Sequence, residues 1–314
     1  MSGGLRAFGT PAEVGRVHSR FFNEAVFELL LYPDTPLLVK AGGEGVEALD
    51  PTLPDMSFVR LRQVGGEEVP FIPGSSFRGV LRSHAERLVR SVKKEEACDP
   101  LNHKERESWN LKTACLVKDK DKGPEAYRKV CYICRLFGTT GLASRVRVGD
   151  FYPEKEPVCS TRYGVAIDRV TGAVAKGPFE MEVVTDGSFR GTITLRNFTL
   201  GQFGLLSAAL LDIGEGLVPI GFGKSRGLGR VRLEVKRLAI YTLRSPEGAL
   251  WGVGALCEEE VRKEFRLPPA ERERLDLGAK DAAKKGIYHV LSAAGEEAVR
   301  WMEKAVPRWL EEIA

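Results

Sequence analysis

With 314 residues and 43% hydrophobic content, the chain is long enough for one large or two ordinary domains and apolar enough to build a core. No apolar run approaches the roughly 18 residues of a membrane-spanning helix, which excludes a helical span. The net charge of +4 is mild, but arginine is dense at 60–90 and 135–170, a distribution that suits a nucleic-acid partner and that a surface of paired Lys, Arg and Glu would also produce.

In chain order, the opening MSGGLRAFGTPAEVGR lacks the apolar core of a signal peptide, so a cytoplasmic location is expected. EAVFELLLY (24–32) reads as a strand ended by Pro33-Asp34, and Pro36 to Ala41 as a second extended piece. Residues 42–56 are a Gly-, Asp- and Pro-rich loop, and Ser57 to Gln63 a short strand. A helix begins in FIPGSSFRGVLRSHAERLVRSV, with Ser75 or Ser76 as N-cap and Phe77, Val80, Leu81, Leu88 and Val89 as its apolar stripe. Residues 95–130 are a polar insertion. SRVRVGDFY follows as a strand with alternating cations, and 162–178 as a β-hairpin turning at Val170 to Gly172. Residues 179–186 and 189–197 read as a further strand pair, Gln202 to Asp212 as a helix, and Arg230 to Tyr241 as a strand. Residues 258–314 read as helical, with Trp301, Met302, Val306, Trp309 and Leu310 as a packing stripe. The core order strand, helix, strand, strand, helix, strand predicts an α+β fold of ferredoxin-like βαββαβ type. The organisation expected is a domain at 1–241 carrying the insertions and a C-terminal helical extension at 242–314.

Three segments carry candidate binding chemistry. GFGKSRGLGR (221–230) packs four glycines with Lys224, Arg226 and Arg230. Glycine lets backbone N–H groups approach a ligand, and the cations suit an anion, so Gly223, Lys224, Ser225 and Arg226 read as a phosphate cradle. A glycine-rich turn is the plainer reading. It is not a P-loop, because Val218 stands where that motif needs glycine and a strand follows instead of a helix. PGSSFRGVLR (73–82) puts Gly74, Ser75 and Ser76 at a helix N-terminus, with Arg78 and Arg82 four residues apart on one face. The hairpin sets Arg162, Arg169 and Lys176 beside apolar residues, a pattern able to wedge between bases and hold phosphates. Arg145 on the preceding strand joins these as an RNA-binding candidate.

Cys131-Tyr132-Ile133-Cys134 has metal-ligand spacing, and Cys98 and Cys115 lie upstream in an insertion too polar for a core of its own. A tetrahedral Zn²⁺ held by Cys98, Cys115, Cys131 and Cys134 is expected, with His103 as a substitute ligand and buried thiols as the alternative. Acidic residues of the 42–56 loop, Glu44, Glu47, Asp50 and Asp55, are the catalytic material available in the first half.

In this order, IPGSSFRGVLRS (72–83), CYICRLFG (131–138), ASRVRVGDFY (143–152) and GFGKSRGLGRVRL (221–233) resemble the RAMP superfamily of CRISPR proteins, and in particular the backbone subunit of type III effector complexes. GVAIDRVTGAVAKG (164–177) looks like that family's thumb. The resemblance implies a subunit that polymerises along crRNA beside copies of itself and other effector subunits. It implies cutting of complementary target RNA at six-nucleotide intervals with Mg²⁺ or Mn²⁺. It places the catalytic aspartate at Asp55, with Asp50 as second choice. Guide phosphates would fall to Ser75, Ser76, Arg78, Arg82, Lys224, Ser225 and Arg226 and base separation to residues 165–176, with Gly74, Arg145, Arg162, Arg169, Lys176 and Gly223 as further RNA-binding residues. Two alternatives are a catalytically silent crRNA-binding scaffold and a guide-processing endonuclease of the same superfamily. No membrane partner is expected.

Overall fold

Strand β1 (Asn23–Pro33) alternates along its length, burying Ala25, Phe27, Leu29 and Leu31 on one face and leaving Glu24 and Glu28 on the other. The computed structural model describes residues 20–42, 54–62, 65–101, 114–117, 121, 123–279 and 282–314. After β1 come β2 (Arg60–Arg62), β3 (Glu68–Pro70), α1 (Gly74–Val92), α2 (Pro124–Lys129) and α3 (Tyr132–Phe137). Then follow β4 (Val146–Val148), β5 (Tyr152–Ile167), β6 (Val174–Arg196), α4 (Leu200–Gly214) and β7 (Val231–Thr242). The remaining elements are β8 (Ala249–Trp251), α5 (Val253–Leu256), α6 (Glu259–Phe265), β9 (Arg274–Asp276), β10 (Ala283–Lys285), β11 (Tyr288–Ala293), α7 (Gly295–Ala305) and α8 (Pro307–Ile313).

The main sheet is antiparallel, in the order β10-β11-β7-β1-β6-β4, with β5 paired along the rest of β6. Its buried face meets the helices: Phe27 stacks on Phe203 of α4 at 5.6 Å, α1 packs on α4, and α7 and α8 pack on α4 from the other side. The helical stripe is as expected, with Phe77, Leu81 and Val89 fully buried and Val80 and Leu88 partly so. The α+β class stands, with strands and helices sharing one core.

Three expectations need correction. The strand pair at 179–186 and 189–197 is a single strand, β6. Gly187, at φ +124°, makes a bulge against Pro157 rather than a turn, so β5 and β6 form one long ribbon. Helix α1 starts at Gly74, with Pro73 in the cap position, so neither Ser75 nor Ser76 caps it. The Gly74 N–H instead donates to the Asp150 carboxylate at 2.7 Å, a distant residue taking the role of a local cap. Finally, the C-terminal part is not purely helical. β10 and β11 extend the main sheet beyond β7, while Trp301, Met302 and Trp309 join the common core and Leu310 stays exposed.

Helix α4 has a capping box from Thr199 and Gln202. Two buried glutamates reinforce it: Glu273 accepts from the Leu200 N–H at 3.0 Å and Glu312 from the Gly201 N–H at 3.0 Å. Burial pushes the Glu273 carboxyl up to about 8 and that of Glu312 up to about 7. Both values lie above the unfolded one, so their contribution is complete at pH 4 and below and fades as pH rises through 7 and 8. Thermal unfolding should therefore show stability falling by a few kcal/mol, on the order of the shifts involved, between about pH 5 and pH 9. Glu312→Gln should flatten that slope; an unchanged slope would contradict the assignment.

Candidate nucleic-acid interface and metal centre

The glycine loop is fixed by main-chain bonds to the segment after β1. Phe222 N–H donates to Leu38 O at 2.7 Å, Gly229 N–H to Pro36 O at 3.0 Å, and Ile220 N–H to Gly229 O at 2.8 Å. A side chain at Gly221 would collide with the Leu38 carbonyl and one at Gly229 with the Ile220 carbonyl, and both glycines have positive φ. Between them a single 3₁₀ turn, Lys224–Arg226, sits between left-handed Gly223 and Gly227 and leaves Lys224, Ser225 and Arg226 exposed. Leu228 is buried beneath and anchors the turn.

Two neighbours of this loop were not foreseen. Burial, and then the Arg87 guanidinium of α1, hold the Lys224 ammonium below its usual range. Arg87 donates to His84 Nδ1 at 3.2 Å, so His84 presents Nε2–H to Asp212 at 2.5 Å. On the other flank the Arg226 guanidinium lies 5.8 Å from the centre of the Phe179 ring, at the root of the long ribbon. None of Arg87, Lys224 and Arg226 forms an ion pair among the described residues. Cations brought together without acidic partners repel one another, and an anion relieves that repulsion.

Asp55 reaches the same place. Its carboxylate accepts from the Glu180 N–H at 2.8 Å, next to Phe179, and Met56 bridges to Met181 in β6. Asp50, Glu44 and Glu47 lie outside the described residues. Exposed Arg162 and Tyr163 lie level with this root, opposite Met181 and Glu180, and beyond it the ribbon's tip carries exposed Arg169 and Lys176 among exposed Val165, Ile167 and Val174, with Val170 94% exposed at the turn. Asp168 shapes that turn by accepting from the Val170 and Thr171 N–H groups, both at 2.8 Å, which holds its carboxyl below the usual range.

The remaining candidates divide. Ser75 and Ser76 are exposed in the first turn of α1. Arg78 and Arg82 turn toward the segment after α3: Arg78 donates to the Phe137 carbonyl, and Arg82 to the Gly138 carbonyl at 3.1 Å and to Glu86 at 2.9 Å. Arg145, expected on the surface, is only 2% exposed and lies 4.9 Å from the centre of the Tyr127 ring, so it faces the interior.

The four cysteines do come together. Cys98, Cys115, Cys131 and Cys134 are all buried, unbridged, and have their sulfurs within 4.8 Å of one another. A tetrahedron with Zn–S bonds of about 2.3 Å has sulfurs about 3.8 Å apart, so the set fits a metal such as zinc. Around it, Arg82 approaches the Cys134 sulfur at 3.6 Å and Arg90 donates to the Cys98 carbonyl at 2.9 Å, placing positive charge beside the thiolates a metal requires. Four cysteines complete a tetrahedral set; His103 lies outside the described residues. The two remaining cysteines stand apart, Cys257 buried and Cys159 partly exposed beside Arg60.

The features together define a class: an α+β protein with a cluster of unpaired cations at its glycine loop, a long exposed ribbon and a cysteine centre that can hold a metal. Residues 31–232 match the RAMP superfamily. The chain belongs to that superfamily, whose usual setting is CRISPR-associated RNA binding. No curated protein matches it. Among the described residues no helix is long and apolar enough to cross a membrane.

Proposed function

We propose that the chain is a crRNA-binding backbone subunit of a type III CRISPR effector complex and that it cuts bound target RNA beside Asp55. In this reading the β7-β1-β6-β4 order, with α1 after β1 and α4 after β6, is a ferredoxin-like core. The observation that carries the proposal is the meeting of Arg87, Lys224 and Arg226 from two elements with the ribbon root and Asp55. Guide phosphates lie along Arg87, Lys224, Ser225 and Arg226 and reach the first turn of α1 at Ser75 and Ser76. Arg78 and Arg82 act indirectly, by holding the turn after α3. Arg162 holds RNA at the ribbon root, and the ribbon tip, with Arg169 and Lys176 around its apolar residues, separates one base pair from the next. Zn²⁺ on the four cysteines ties the insertion to α1. Mg²⁺ or Mn²⁺ assists cutting at Asp55, at six-nucleotide intervals.

A silent scaffold is the second reading, and one observation favours it. Among the described residues, the cysteines are the one group of three or more His, Cys, Asp or Glu placed to hold a metal, and no described carboxylate joins Asp55 in such a group. Guide processing by a histidine is less well supported, since His84 is held between Arg87 and Asp212. Incubating the RNA-loaded protein with labelled complementary RNA and Mg²⁺ separates the readings. A ladder of evenly spaced products supports the nuclease, and intact target bound by the same protein supports the scaffold.

A further inference from the structure

Most of the open face of the main sheet is neutralised. Arg196 pairs with Glu24 at 2.6 Å, Lys236 with Glu234 at 2.9 Å, Arg190 with Glu154 at 2.6 Å and Arg237 with Glu28 at 3.5 Å. One end departs from that pattern. There the rings of Phe21 and Tyr288 meet edge to face at 5.3 Å, and those of Tyr241 and Tyr288 at 6.0 Å. Tyr241 lies opposite Glu24, so it belongs to the open face, and all three rings are half-buried.

Lys285 of β10 lies directly opposite Tyr288 of β11, and opposed residues of an antiparallel pair share a face. Lys285 is exposed and forms no ion pair among the described residues, whereas Lys284 lies opposite His289 and so belongs to the other face. Ile287, 70% exposed, tops the turn between the strands. Apolar groups flanked by an unpaired cation repeat, on a smaller scale, the character of the long ribbon. A protein interface core is depleted in lysine, whereas single-stranded nucleic acid is held by aromatic faces beside cations. These residues lie outside the 31–232 family match. β10 is four strands from β6, about 19 Å at ordinary strand spacing, so this is a different place from the glycine-loop site.

We propose that this end of the sheet is a second contact for single-stranded RNA, with Tyr288 and Phe21 stacking on bases and Lys285 taking a phosphate. The contact stands independently of the glycine-loop site. Its test uses the full chain and a thiouridine-labelled oligouridylate, combining photo-cross-linking and peptide mapping with affinity by fluorescence anisotropy. Cross-links should map to Phe21 or Tyr288. Tyr288→Ala should weaken binding roughly tenfold, the worth of one stacked base, while Tyr288→Phe binds like the parent. Lys285→Gln should lower the salt slope by about 0.7. No cross-link in these peptides, together with unchanged affinity in Tyr288→Ala and in Lys285→Gln, overturns the proposal. So does a Tyr288→Ala protein whose sedimentation changes while its RNA affinity does not, which marks a protein interface. Lys224→Ala with Arg226→Ala provides the separate control. Loss of binding there alone sinks this contact and spares the glycine-loop site; loss in Tyr288→Ala alone does the reverse.

Discussion

Replacing Cys131 with serine is expected to abolish metal binding at the cysteine centre and loosen the packing of α3 against α1. The four sulfurs sit within 4.8 Å in the main core, where Ile133, Leu136 and Phe137 of α3 are also buried. Structural zinc contributes apparent binding energies of about 10–16 kcal/mol in small domains, far more than the stability margin of an ordinary fold. The loss here should be smaller, because the surrounding core supports the site, but still several kcal/mol on the order of a lost metal staple. Elemental analysis should give one zinc per chain for the parent and none for Cys131→Ser, with a markedly lower melting temperature. A chain that melts unchanged after metal removal would reduce the cluster to four buried thiols. Cys257→Ser provides the control, since Cys257 lies in a separate small apolar cluster.

The second large effect is on chemistry. Asp55→Ala should leave RNA binding within about twofold of the parent and lower target cutting by roughly a hundredfold to ten-thousandfold, the usual worth of a positioned catalytic group. Asp55 also accepts the Glu180 N–H, so alanine frees a backbone donor at the ribbon root. Asp55→Asn keeps an acceptor there and removes the charge. If both variants stop cutting, the charge matters; if asparagine cuts like the parent, the residue acts by holding the ribbon.

Much of this site can be read from sequence, because its parts rely on local chemistry. Gly223 and Gly227 adopt left-handed conformations that few other residues tolerate, so the loop is visible in its glycines. The Cys-x-x-Cys pair pointed to the metal centre for the same reason. What the sequence concealed depends on packing between distant segments. The cap of α1 comes from Asp150, 76 residues away. Arg78 and Arg82 share a helical face, but tertiary packing turns it to the insertion and leaves Arg87 to meet Lys224. Arg145 sits among alternating cations, yet a neighbouring Tyr127 ring draws it inside. β10 and β11 are short and lysine-bearing, so their alternation is weak, and they become strands by pairing with β7.

The proposed function requires that the cations of α1 and the glycine loop, beside the ribbon root, hold an RNA backbone. The most direct measurement is the affinity of single-stranded RNA for the parent and for Lys224→Ala with Arg226→Ala, taken across a salt series. Loss of two phosphate contacts should weaken binding at least tenfold and reduce the salt slope by about 1.4, uniformly across RNA sequences. Affinity and slope that match the parent would contradict the account.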